Sequence, residues 1–282
     1  MSRFQTSWEI AKRSWAVLRS DKSLAWFPVL SALASIAVMA AAVGVIAVAG
    51  IDDASNSLAP IGWVVIVVGY LGLAFVQTYF LAGLVAGADM RLHGQDSTVG
   101  KALAVANSRL HRLLPWAVVS ATVSIVISAI EQQGLIGRII ANLIGLAWNL
   151  ITFMTVPILV LEDVGVGAGL KRSKDLFKKT WGENVIAFGG LSIVGFLLMI
   201  PGIALIALGA AAGTAGLIAL GLVGAVWLIA TAVIMSALSG IYRTALYRYA
   251  STGQVPGDFA GIDFQAQFRP RRNGGRTGIP GF

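Results

Sequence analysis

The chain has 282 residues, of which 57% are hydrophobic and only 12% are charged, and its mean hydropathy is +0.80. Because a soluble domain carries about 25% charged residues, this composition excludes an ordinary soluble protein and predicts a membrane protein. The formal net charge is +8, but the basic residues lie between long apolar runs rather than in one polar domain, which argues against nucleic acid as a partner. The sequence has no cysteine, so disulfides and thiolate sites are excluded.

Six apolar stretches are long enough to cross a bilayer, since a helical span needs about 20 residues. They lie at Leu24–Ala49, Ile61–Ala86, Leu113–Ile130, Ile139–Leu161, Val185–Leu208 and Leu217–Leu238. The first has an apolar core and a polar leader that are both too long for a cleaved signal peptide, so an uncleaved anchor is expected. The predicted fold class is an all-α polytopic membrane protein with six transmembrane helices arranged as three hairpins.

The positions of lysine and arginine predict the orientation. If the N-terminus is cytoplasmic, the inner segments contain 20 of the 21 basic residues, and Arg138 is the exception. This distribution obeys the positive-inside rule and places both termini in the cytoplasm. Tryptophans close to the predicted span ends are expected to anchor them at the interface; they are Trp8, Trp15, Trp26, Trp63, Trp116 and Trp181.

Before the first, third and fifth spans, apolar residues recur at alternating steps of 3 and 4, which places them on one helical face. The three sets are Phe4, Trp8, Ala11, Trp15 and Leu18; Val99, Leu103, Ala106, Leu110 and Leu113; and Val166, Leu170, Ser173 and Phe177 with Trp181. Asp96 or Ser97 is expected to cap the second helix. Each segment is predicted to be a cytoplasmic amphipathic helix at the membrane interface, with its basic side towards anionic head groups. The candidate lipid contacts are Lys12, Arg13, Arg109, Arg112, Lys171, Arg172, Lys174, Lys178 and Lys179.

The same order of elements occurs three times: amphipathic helix, span, outer loop, span. The repeat units are about 4–88, 97–161 and 165–249, so that residues 1–249 form the transmembrane domain. After Tyr249 the chain is rich in Gly, Pro and Arg, which predicts a disordered basic tail over residues 250–282.

Three polar residues within the spans, Gln77, Asn142 and Asn149, are candidates for lining a cavity or substrate path. The alternative is that they form interhelical hydrogen bonds, and this is favoured because such bonds are common in membrane helices. No acidic, basic or histidine residue lies inside the predicted spans away from their ends, which argues against a proton-coupled carrier.

Glu162 and Asp163 lie where the fourth span meets the cytoplasm, after Pro157, which is expected to kink that span. The two acids could gate a pathway or pair with Lys171 or Arg172. The simpler alternative is that they are interfacial acids, with Asp163 capping the next helix.

The sequence contains no nucleotide-binding, hydrolase or metal-binding motif, so no catalytic residue, metal or cofactor is predicted. We therefore expect a protein that is not an enzyme.

Three blocks carry a resemblance to a known family. WEIAKRSWAVLRSDKSLAWFPVLS, VPILVLEDVGVGAGLKRSKDLFKKTWGEN and ALSGIYRTALYRYASTGQVP resemble an uncharacterised family of bacterial six-helix membrane proteins, over nearly the whole chain up to about Phe259. The resemblance implies six spans and the bacterial cytoplasmic membrane, and it transfers no catalytic residue. The helix pattern is also loosely similar to the membrane portion of some glycerophosphodiester phosphodiesterases.

Two functions follow as hypotheses. The first is a non-enzymatic module that binds membrane lipids, especially anionic ones, or a membrane protein partner or second copy, through its basic helices. The second is a transporter or permease for a neutral or amphiphilic substrate, with helices interrupted near Pro157 and Pro201.

Overall fold

The computed structural model describes residues 3–49, 51–52, 57–58, 60–181 and 190–260, and side chains within 8–48, 60–179 and 194–260. Ten α-helices lie in these ranges, with short 3-10 helices at Lys22–Ala25 and Gly257–Phe259. The α-helices are α1 Arg3–Ser20, α2 Trp26–Ala49, α3 Pro60–Leu92, α4 Val99–Ser108, α5 Leu110–Glu131, α6 Gly134–Thr152, α7 Thr155–Leu161, α8 Val166–Trp181, α9 Gly190–Ala211 and α10 Gly213–Thr252. Between α2 and α3, the two-residue strands β1 (Ile51–Asp52) and β2 (Ser57–Leu58) pair antiparallel.

Six helical segments are long and apolar enough to cross a membrane, which confirms the predicted number. They are Lys22–Val48, Pro60–Leu92, Leu110–Glu131, Gly134–Leu161, Val194–Ala211 and Gly213–Thr252. Their outer surfaces carry large apolar side chains, such as Leu143 and Phe196, which are each 64% exposed. Water would not favour so much exposed apolar surface, but lipid would. The protein is therefore a multi-pass membrane protein.

Residues 185–189 of the predicted fifth span lie outside the described residues.

Polar contacts gather several helix ends at one end of the bundle, which we call the polar end. Ser97, before α4, donates to Asp21, which precedes α2, and Arg91 Nε, near the end of α3, donates to Ser20 Oγ at 3.1 Å. Tyr247 of α10 donates to Glu162 at the end of α7, at 2.9 Å. The starts of α2 and α4 and the ends of α3, α7 and α10 therefore lie together.

The fourth apolar segment is broken, so that α6 ends at Thr152 and α7 begins at Thr155. Pro157 lies in the first turn of α7, where its missing N–H costs no intrahelical bond. Ser173 of α8 contacts the gap: its hydroxyl donates to the carbonyl of Ile151 and accepts from Met154 N–H at 3.3 Å. The break is thus satisfied by a neighbouring helix, and the predicted kink is a two-residue interruption. By contrast, α9 continues through Pro201.

The buried face of α1 agrees in part with the predicted one. Ala11 and Leu18 are buried as predicted, and Ser14 between them is buried too, whereas Trp8 and Trp15 of the predicted set are 45% and 46% exposed. Helix α1 packs against α9 and α10, and the half-exposed tryptophans lie at the edge of its buried side. The spacing therefore predicts the helix and part of its buried face.

The second and third short helices agree more closely with their predicted patterns. In α4, Ala102 and Ala106 are buried, but the N-cap is Thr98, whose hydroxyl accepts from Lys101 N–H at 3.3 Å. The Ser97 hydroxyl donates to Asp21 instead, so the expected cap, Asp96 or Ser97, was one or two residues too early. In α8, Ser173 and Phe177 are buried as expected.

The described chain continues past Tyr249 in ordered form. Helix α10 ends at Thr252, and the 3-10 helix Gly257–Phe259 packs against α1 with Phe259 fully buried. The tail predicted to begin at residue 250 is thus folded at its start, because Phe259 has an apolar site to fill. Residues 261–282 lie outside the described residues.

Candidate functional site

A cavity of about 500 Å³ lies between α2, α3, α5, α6, α7 and α10. Hydroxyl and amide groups line much of it, including Ser31, Gln77, Thr78, Ser120, Asn149 and Ser239. Among its lining residues, Gln77 and Asn149 are exposed, so the cavity communicates with the outside of the protein. Its volume is within the range of small-molecule sites, about 300–1,000 Å³.

One wall of the cavity is aromatic. Trp116 of α5 stacks on Trp148 of α6, with ring centroids 6.0 Å apart and an interplanar angle of 18°. Trp116 is only 5% exposed, so it is not the interfacial anchor that its position near a span end predicted. The stacked pair gives the cavity an apolar surface beside its hydroxyl groups.

Arg243 of α10 lines the same cavity and is its most unusual member. Its Nε is buried and has no hydrogen-bond partner among the described residues. The guanidinium carbon lies 4.6 Å from the centroid of the Phe153 ring, over its face. Of the described side chains that line the cavity, Arg243 is the only one with an ionisable group.

Arg243 lies outside the predicted sixth span, which ends at Leu238 because the apolar run stops there. Helix α10 continues to Thr252, which carries Arg243 into the bundle. A pattern could have revealed it: Ser236, Ser239 and Arg243 follow one another at steps of 3 and 4, which makes a polar stripe on one helical face.

The structure brings two of the three predicted polar lining residues to the cavity. Gln77 and Asn149 line it, and Gln77 Nε2 also donates to Ser35 Oγ at 3.3 Å. Asn142 is exposed on α6, two turns from Asn149, and is not among the lining residues. The amide side chains of the cavity are therefore those of Gln77 and Asn149, and the predicted polar lining does not extend to Asn142.

Ion pairs bridge helices at the polar end. Asp163 contacts Arg109 through Nη1···Oδ2 at 2.6 Å and Arg112 through Nε···Oδ1 at 3.4 Å. Asp163 has a backbone φ of 53°, a left-handed conformation that aspartate tolerates better than most residues. It lies three residues before α8 and joins the end of α7 to the start of α5. That it caps α8 stays a prediction.

Glu162 bonds to α8 and α10 together. Arg172 Nε lies 3.3 Å from Glu162 Oε1, and the Tyr247 hydroxyl donates to the same oxygen at 2.9 Å. The expected partnership with Arg172 therefore occurs, and Lys171 forms no ion pair among the described residues. Both acids hold helices together at the polar end.

The candidate lipid-contacting cations divide into two groups. Arg109 and Arg112 are engaged by Asp163. The others are exposed: Lys12, Arg13, Lys171, Arg172, Lys174, Lys178 and Lys179. Of these, Lys12 Nζ also lies 3.3 Å from Glu9 Oε1. The densest group lies on α8. In the part of the chain that the structure describes, no cluster of three His, Cys, Asp or Glu side chains could hold a metal ion.

The model of a protein family matches residues 60–257, and that family is described as a family of unknown function, DUF6159. The chain belongs to this family. The match contains the cavity-lining residues of α3 to α10 and both interface acids, whereas α1 and α2 precede it. No curated protein and no solved structure matches the chain. The bacterial origin and the looser similarity to glycerophosphodiester phosphodiesterases stay predictions.

Proposed function

We propose that this DUF6159 protein is a non-enzymatic module of the bacterial cytoplasmic membrane that binds anionic lipids at its cytoplasmic surface. In this proposal the chain forms three units, each an amphipathic helix followed by a transmembrane hairpin, with both termini cytoplasmic. The polar end of the bundle faces the cytoplasm. A membrane protein partner or a second copy remains a further candidate for the same surface.

The single observation that carries the proposal is the arrangement of α8. Its apolar side is buried against α6, α7 and α10, so its charged side is held outwards at the polar end. Five cations of α8 are exposed, and only Arg172 forms an ion pair with a described carboxylate. Asp175 is the one acid on this helix. Unpaired cations held near a membrane surface attract anionic lipids by about 1 kcal/mol each.

The distribution of charge supports the orientation. The polar end contains Arg91, Arg109, Arg112, Arg172 and Arg248 in contacts between helix ends. Arg138 is at the start of α6, beyond the turn that follows α5, and is therefore at the opposite end. The asymmetry agrees with the positive-inside rule, with the polar end inside.

The test is competition between two lipids for the purified protein. The protein, in a mild neutral detergent, is mixed with equal amounts of phosphatidylglycerol and phosphatidylcholine, and native mass spectrometry counts each bound lipid. The wild type should prefer phosphatidylglycerol, and a variant with Lys171, Arg172, Lys174, Lys178 and Lys179 all changed to Gln should lose that preference. Arg138→Gln, at the opposite end, is the control and should keep it. An unchanged preference in the five-fold variant would overturn the proposal.

The cavity favours transport of an amphiphilic substrate as a second candidate. The α6–α7 interruption beside it resembles the broken helices that form binding sites in transporters. In reconstituted vesicles, Asn149→Leu should slow translocation of a fluorescent phospholipid across the bilayer, whereas Asn142→Leu should not. Equal rates in both variants and the wild type would count against a path through the cavity.

A further inference from the structure

The charge of Arg243 is poorly compensated in the protein alone, since the side chain is partly buried and its Nε is fully buried. Taking a cation out of water costs free energy unless a partner compensates for it. No described carboxylate forms an ion pair with Arg243. A cation–π contact supplies about 0.5–2 kcal/mol, so the contact with Phe153 offsets only part of the cost.

The position of Arg243 distinguishes it from the arginines of the polar end. Arg248 lies five residues further along α10 and is paired with Asp89. At 1.5 Å rise per residue, Arg243 is about 7.5 Å deeper in the bundle. An ionisable side chain at such a depth generally marks a pathway or a ligand site.

Ser31 supplies a second, independent observation. This residue of α2 is 7% exposed, and its Oγ is also buried without a hydrogen-bond partner among the described residues. Ser31 and Arg243 come from different helices and line the same cavity. Buried polar atoms are almost always satisfied in native proteins. Two lining side chains with unsatisfied atoms therefore favour a polar occupant towards which both side chains turn.

The lining specifies the chemistry of that occupant. A guanidinium binds phosphate and carboxylate oxygens through charge-assisted, often bidentate hydrogen bonds, and Ser239, one turn before Arg243, adds a hydroxyl on the same face. The Trp116–Trp148 pair and Phe27 form an apolar surface that a hydrocarbon chain can contact. We infer that the cavity binds an anionic amphiphile, with its phosphate or carboxylate head group on Arg243 and its chain along the aromatic wall. This site is separate from the surface of α8.

The experiment is a thermal-unfolding titration of the purified protein in a neutral detergent with three probes: dodecyl phosphate, dodecanol and inorganic phosphate. Dodecyl phosphate should raise the unfolding temperature in a saturable way, because a ligand that binds only the folded state stabilises it. Dodecanol, which lacks the charge, should not. Arg243→Gln should weaken the apparent affinity for dodecyl phosphate about tenfold or more, since it removes charge-assisted hydrogen bonds. The α8 variant with five glutamines should respond like the wild type, which keeps this test apart from that of the proposed function.

Two further measurements keep the inference falsifiable. Without ligand, Arg243→Gln should be at least as stable as the wild type, because it removes a partly buried charge that has no described counter-charge. If that variant fails to fold, Ser239→Phe replaces it, since this change occupies the space beside the guanidinium and leaves the charge in place. A response to inorganic phosphate equal to that of dodecyl phosphate would support the anion site and assign it to a free anion. No saturable response to either phosphate, or an unchanged response in Arg243→Gln and Ser239→Phe, would overturn the inference.

Discussion

Arg248 of α10 donates two hydrogen bonds to Asp89 of α3, although the two residues are 159 positions apart in the sequence. The Nη2···Oδ2 distance is 2.6 Å, and both side chains are partly buried, with exposures of 27% and 14%. A two-point contact of this kind fixes the relative position of two helices as well as adding energy. It joins the last transmembrane helix to the second at the polar end.

We expect Asp89→Asn to destabilise the protein by about 1–3 kcal/mol, because it leaves the Arg248 guanidinium without its counter-charge in a partly buried place. The partial exposure of the pair keeps the loss below that of a fully buried one. The measurement is the apparent unfolding temperature in a mild detergent. Glu9→Gln, which breaks the exposed Glu9–Lys12 pair, is the control and should change the temperature little. Equal effects of the two substitutions would show that the Asp89–Arg248 contact is not a structural clamp.

Ser173→Ala should also destabilise the protein, since it leaves Met154 N–H and the Ile151 carbonyl unsatisfied at the α6–α7 break. A buried polar group without a partner costs about 1–3 kcal/mol. The same unfolding assay measures the effect. Ser108→Ala is the matched control, because Ser108 is exposed and its hydroxyl donates to Val105 of its own helix, with no other hydrogen bond among the described residues. If Ser173→Ala were as stable as the control, the break would not depend on α8.

The absence of cysteine permits a direct test of the proposed orientation. Ser108→Cys places a thiol on the exposed surface of α4, and Gln132→Cys places one in the turn after α5. In intact spheroplasts, a membrane-impermeant maleimide should label Gln132→Cys and should label Ser108→Cys only after the membrane is opened. The opposite pattern would reverse the orientation inferred from the basic residues.

The spans could be predicted because they depend on local properties, length and hydropathy. The ends of α3 and α10 could not, since both helices continue past their apolar windows through polar residues such as Asp89 and Arg248. These residues are stabilised by contacts with each other rather than by their sequence neighbours. Hydropathy alone contains no information on such pairs.

The cavity could be predicted only in part for the same reason. Gln77 and Asn149 are polar residues within apolar runs, so the sequence alone predicts them as lining residues. Arg243 did not stand out, because it follows a span that composition had already ended. The burial of Arg243 Nε and its lack of a described partner result from the packing of several helices around α10. The sequence near Arg243 contains no information on that packing.

The most direct test of whether this protein binds anionic lipid is native mass spectrometry of the protein purified from its membrane in a mild neutral detergent, with identification of the bound molecules. We predict that the wild type carries anionic lipid. The α8 variant with five glutamines should lose the anionic lipids that dissociate easily. Arg243→Gln should lose a single tightly bound anionic amphiphile. A wild-type protein that remains free of anionic lipid, even when phosphatidylglycerol is supplied, would contradict the account.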